Sequence, residues 1–122
     1  MDTPLISQWL DYTKKHSTVE KKLEDVLKKK SQLTISEYYA LYQLHQNGCH
    51  MRLNDLGNYL CLSQSALSRL IKRLEEKEPQ VIIKKDCSAD KRGFYVDLTD
   101  QGLEELIAIE KDVQAILEEN FK

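Results

Sequence analysis

Apolar residues recur along this chain at two distinct periods. Leu5, Trp9, Val19, Leu23, Val26 and Leu27 fall at helical spacing with lysines between them, which predicts a long amphipathic helix over 5–30, loosened near His16-Ser17-Thr18. Thr34-Ile35-Ser36-Glu37 reads as a capping box, in which the Thr34 hydroxyl accepts from the Glu37 amide and the Glu37 carboxylate reaches back. A second helix should then run through Tyr38, Leu41, Tyr42 and Leu44 and stop at Asn47-Gly48. After a short link, Leu53, Leu56 and Leu60 predict a short helix, broken at Leu62-Ser63. Ser63 is a good N-cap for a helix over 63–77. That helix carries Ala66, Leu67, Leu70, Ile71 and Leu74 on one stripe, with Gln64, Ser68, Arg69, Lys72 and Arg73 largely off it.

The period then changes. Pro79 disfavours helical geometry at Glu78 and ends the helix. Val81-Ile82-Ile83-Lys84-Lys85 reads as a strand, and Phe94-Tyr95-Val96-Asp97-Leu98 as its partner, with Val96 and Leu98 on one face. The polar loop Asp86 to Gly93 lies between them. Thr99 caps a last helix over about 100–121, whose stripe is Leu103, Leu106, Ile107, Val113, Ile116, Leu117 and Phe121. The expected fold is mainly α (α+β). Two helices joined by a turn of about three or four residues, followed by a two-stranded wing, make a winged helix-turn-helix over 51–98. The terminal helices, 1–32 and 99–122, carry stripes too large for that small core alone, so they are expected to pair with each other or with a second copy of the chain.

Composition refines this picture. A chain of 122 residues with 41% hydrophobic and 31% charged residues suits one folded domain, 1–122. No apolar run approaches the ~20 residues that span a bilayer. Met1-Asp2-Thr3-Pro4 lacks the basic start and apolar stretch of a signal peptide, so no membrane partner and a cytoplasmic location are expected. Cys49, Cys61 and Cys87 form no CxxC pair and are expected to be free thiols, Cys61 buried. His45, Cys49 and His50 lack a further convergent ligand, so neither a metal nor a cofactor is expected. Paired carboxylates in a cleft, a nucleophile with its base, and a Gly-rich phosphate loop are all missing, which argues against an enzyme.

The net charge of −2 hides a segregation. Residues 61–93 hold eight Lys/Arg against five Asp/Glu, while residues 97–122 hold two against eight. A local basic patch matters more to nucleic acid than the total charge. A recognition helix needs one apolar face for its core and one polar face for the major groove. Ser63, Gln64, Ser65 and Ser68 can donate to phosphates or bases there, and Arg69, Lys72 and Arg73 can reach phosphates or, for arginine, a guanine edge. At the wing, Arg92, with Lys91 beside it, suits the narrow minor groove, where negative potential concentrates. Asp90 can hold the Arg92 guanidinium in a fixed fork. Trp9, Tyr38, Tyr39 and Tyr42 are candidates to line a ligand crevice, although aromatics at helical spacing more often serve as core. An interaction module that never touches DNA is the alternative reading, kept open by the acidic last helix.

At these residues the chain resembles the MarR family of winged-helix regulators. The resemblance is carried by Leu62-Ser63-Gln64-Ser65-Ala66-Leu67-Ser68-Arg69-Leu70-Ile71, by Leu74-Glu75-Glu76-Lys77, by Asp90-Lys91-Arg92-Gly93 and by Val96-Asp97-Leu98-Thr99-Asp100-Gln101-Gly102. It implies a homodimer joined through the terminal helices and binding to a palindromic operator in double-stranded DNA, usually as a repressor. The family's wing Asp-x-Arg maps onto Asp90 and Arg92. Many members release DNA when a small phenolic or other effector enters a crevice between the dimer and DNA-binding lobes, and some sense oxidants through cysteine or bind zinc. Glu78-Pro79 stands where the family has Gly-Leu, so the wing geometry is expected to depart there.

Overall fold

The computed structural model describes residues 3–86 and 93–121. Its elements are α1 (Pro4–Lys30), α2 (Ile35–Gln46), β1 (His50–Arg52), α3 (Leu53–Leu60), α4 (Gln64–Glu75), β2 (Ile82–Asp86), β3 (Phe94–Leu98) and α5 (Asp100–Asn120). The chain divides into two compact units. One takes residues up to Ile35 and from Ile109 onward; the other is Ser36–Ala108.

In the first unit, α1 starts with Pro4 in its first turn, where a missing N–H costs nothing, and ends on Lys28, Lys29 and Lys30 beside the negative end of the helix dipole. It is continuous through His16-Ser17-Thr18, where the sequence suggested loosening. The Thr18 hydroxyl donates to the Lys14 carbonyl at 3.0 Å and His16 pairs with Glu20 at 3.3 Å, so both polar side chains are accommodated along the helix. Val19, Leu23 and Leu27 are buried at four-residue spacing. In α5 the buried residues of this unit are Ile109 and Val113. Lys30 meets Asp112 at 3.7 Å, and Lys22 donates to Asn120 at 2.6 Å. The stripe on α5 differs from expectation at three positions: Ile107 and Phe121 are exposed, and Ile109 is fully buried. From Leu106 a helix returns to the same face at 109 and 113, and 107 lies about 100° off it.

The second unit holds the helix-turn-helix. Met51, Leu56, Leu67, Leu70, Ile71, Leu74, Ile82 and Val96 are all buried in it. Gly57 lets α3 and α4 approach closely, since a Cβ there would lie 2.7 Å from Leu67 Cδ2. The link before α3 is in fact a third strand. β1 pairs antiparallel with β3, Met51 opposite Val96, and β3 pairs with β2, Ile82 opposite Leu98, so β3 is central. Three residues are too few to show a period of two, which is why the sequence read a plain link. Cys61, expected to be buried, is exposed. It occupies the left-handed position that ends α3, at φ 55°, and the core positions fall to Leu56 before the turn and Leu67 after it. α4 stops at Glu75 rather than 77.

The junction of sheet and last helix is tightly tied. The Thr99 amide donates to the Val81 carbonyl at 3.1 Å, its hydroxyl donates to the Gln80 carbonyl at 2.6 Å, and the same oxygen accepts from the Gly102 amide at 3.0 Å. Gly102 is required by this closeness. A Cβ there would lie 2.4 Å from the Val81 carbonyl oxygen and 2.5 Å from Leu98 Cδ1. Gly→Ala inside a helix ordinarily stabilises by up to ~1 kcal/mol. Gly102→Ala is expected to reverse that sign and destabilise by about 2 kcal/mol through overpacking against backbone. Urea unfolding of the two proteins checks this; an unchanged or higher midpoint for the variant would contradict the close approach.

Candidate nucleic-acid interface

The candidate interface is built on α4. Ser63 sits at its N-cap in extended conformation, and its hydroxyl accepts from the Ala66 amide at 3.2 Å, satisfying one of the open donors of the first turn. That bond starts the helix at Gln64. Leu67, Leu70, Ile71 and Leu74 then turn into the core, each 2% exposed or less. Burying them leaves Gln64, Ser65, Ser68, Arg69, Lys72 and Arg73 exposed. Ser63 and Ser65 face each other at 3.4 Å. The sequence-predicted face is thus brought together on one helix. Asp90, Lys91, Arg92 and Cys87 lie outside the described residues.

An open groove of about 510 Å³ lies beside this face, lined by Arg52, Leu53, Asn54, Gln64, Ser68, Lys84, Gly93 and Phe94. Gln64 Nε2 donates to Asn54 Oδ1 at 3.4 Å across it, and Lys84 Nζ lies 4.2 Å from the centre of the Phe94 ring. The start of α3, the start of α4 and the root of the wing therefore share one polar, cationic groove. Arg52, Asn54 and Lys84 were missed from the sequence. The available signal was strand parity: Lys84 pairs with Val96, which pairs with Met51, so Lys84 occupies the sheet side that carries these buried residues.

The opposite parity makes a second cluster. His50 stands opposite Asp97, and Arg52 opposite Tyr95. His50 stacks on Tyr95 with centroids 4.6 Å apart, and the Arg52 guanidinium lies 5.5 Å from the Tyr95 ring centre. Asp97 accepts from His50 Nδ1 and, at 2.8 Å, from Lys85 Nζ. Burial pushes the Asp97 pKa up, but the hydrogen bonds from Lys85 and His50, with the charges of both, outweigh it and hold the carboxyl below its ordinary value of 3.8. No His/Cys/Asp/Glu cluster that could hold a metal occurs among the described residues.

The aromatic candidates do not form a core. Tyr38 lies 6.1 Å from Tyr39 and 6.3 Å from Tyr42, ring centre to ring centre, on α2. Trp9, 62% exposed, stacks on Tyr12 of α1. Neither described groove is lined by them.

The depressed pKa of Asp97 has a definite pH signature. As pH falls, the unfolded chain takes up this proton before the folded one, so the stabilisation is full above about pH 4 and is lost as pH falls through the lowered value. The stability gap between the protein and Asp97→Asn is expected to narrow between about pH 7 and about pH 3. Urea midpoints at each pH measure it, and a gap independent of pH would show that ionised Asp97 does not stabilise the fold in this way.

Comparison with known proteins places this geometry. The MarR family model matches residues 33–94. No curated protein sequence matches the chain. Among solved structures, AbsC from Streptomyces coelicolor, a MarR family transcriptional regulator, is 26% identical with a TM-score of 0.87, over 99% of this chain and 81% of its own. Sco3205 from the same organism, a MarR family transcriptional regulator in complex with DNA, is 24% identical with a TM-score of 0.86, over 98% and 76%. Reduced AbfR bound to DNA is 27% identical with a TM-score of 0.77, over 91% and 76%. The family match spans half of the chain and takes in α2, the helix-turn-helix and the first two strands, and on that ground this chain belongs to the MarR family of transcriptional regulators.

Proposed function

We propose that the protein is a dimeric, sequence-specific regulator that represses transcription from a palindromic operator in double-stranded DNA. The observation that carries this is the exposed Ser/Gln/Arg face of α4 beside the groove lined by Arg52, Asn54 and Lys84. The N-terminal part of α4 enters the major groove, where Arg69 reads a guanine edge or a phosphate and Ser68 donates to base or backbone. Lys84 holds the flanking backbone. Arg92 of the wing enters the minor groove, oriented by Asp90.

Dimerisation is supported by α1, which leaves Leu5, Ile6, Trp9 and Leu10 each more than half exposed. A run of large apolar side chains of this kind is a surface that a second copy would cover. Two copies would set their recognition helices about 34 Å apart, one turn of DNA. AbfR, 27% identical over most of the chain, has been solved bound to DNA, which fits the same reading.

Selection of duplexes from a random library with the purified protein tests the proposal. A two-fold symmetric consensus is expected, with affinity falling steeply as salt rises. On that duplex Arg69→Ala is expected to lose about 1–3 kcal/mol if it reads a base. Arg92→Ala should also weaken binding, most where the flanks are AT-rich. Failure to retard any duplex at low salt would favour a protein-interaction module instead.

A further inference from the structure

Glu37 is the one buried charged residue among those described, 3% exposed. It stands in the first turn of α2, three and four residues before Ala40 and Leu41, which are fully buried. Its backbone is therefore fixed by packing. A carboxylate in such a place must be paired. Its Oε2 faces Arg73 Nε at 3.7 Å and its Oε1 faces Lys77 Nζ at 3.6 Å. Both cations come from the recognition helix and its immediate continuation, four residues apart and so on one side. The Arg73 side chain remains 49% exposed.

The geometry has two consequences. Arginine offers a carboxylate or phosphate either its Nε edge or its terminal pair of nitrogens. Here the approach of Glu37 is to the Nε end, on a side chain that is half exposed as a whole. In addition, Arg73 and Lys77 bring two cations to one carboxylate. We infer that Glu37 is a positioning residue for DNA binding, which holds the Arg73 guanidinium from within the protein and presents its terminal nitrogens to a backbone phosphate. This rests on the DNA-binding reading of α4. Pre-ordering the side chain lowers the entropy lost when the phosphate is met.

The test is filter binding to the selected duplex over about 50–200 mM salt, with Glu37→Gln, Arg73→Ala, the double variant and Arg73→Lys. Arg73→Ala is expected to weaken binding about fivefold across sequences and to lower the salt slope by about one. Glu37→Gln should weaken it about threefold with helical content unchanged, and the double variant should bind like Arg73→Ala alone. Arg73→Lys, which keeps the charge but has neither Nε nor the fork, should fall close to Arg73→Ala. An unchanged affinity for Arg73→Ala, or a double-variant loss equal to the product of the single losses, would overturn the inference. Should Glu37→Gln fail to fold, Arg73→Lys decides alone, and wild-type affinity there overturns it. A protein that binds no duplex at all would instead refute the DNA reading on which the inference stands.

Discussion

A helix that must bury one stripe has no choice about what it shows on the other side. In α4 the buried stripe is Leu67, Leu70, Ile71 and Leu74. Fully burying such side chains is worth roughly 1.5–3 kcal/mol each, far more than any single polar contact on the outer face. That asymmetry fixes the rotation of the helix about its axis. The Ser63 cap fixes where it begins. Between them they determine that Gln64, Ser68 and Arg69 stand outward at the N-terminal end.

The sheet extends the same logic to a period of two. β3 lies between β1 and β2, and its alternation divides the neighbouring charges. Lys84, in register with Val96, joins the groove beside α4. Lys85, one residue on, joins Asp97, His50 and Tyr95 on the other side. Two adjacent lysines thus serve different neighbourhoods because successive strand residues face opposite ways. The Thr99 hydroxyl then ties the end of β3 to both the approach to β2 and the first turn of α5.

Much of this was legible in the residues. The helix stripes, the Ser63 and Thr99 caps, the pairing of Val96 with Leu98 on one face, and the polar side of α4 all follow from short-range periodicity and capping chemistry. What was not legible has a common cause. β1 is three residues long, and its identity as a strand comes from hydrogen bonding to β3, more than forty residues away (His50 opposite Asp97). Cys61 looked like a core thiol by composition, but its place was set by the left-handed turn that ends α3. Glu37 read as a capping-box residue; its burial against Arg73 and Lys77 depends on how α2 meets the far end of α4.

The sequence by itself determined the class of fold and the face of α4 offered to solvent, because both are properties of local spacing: a period of 3.6 or 2, and a hydroxyl at a helix start. Tertiary structure alone decided which distant charges became neighbours. Arg52, Asn54 and Lys84 share a groove with Gln64 and Ser68, and one buried carboxylate pairs with Arg73 of α4 and with Lys77 just beyond it. Such meetings depend on register between strands and on the contact of helices far apart in the chain, and no local period encodes either.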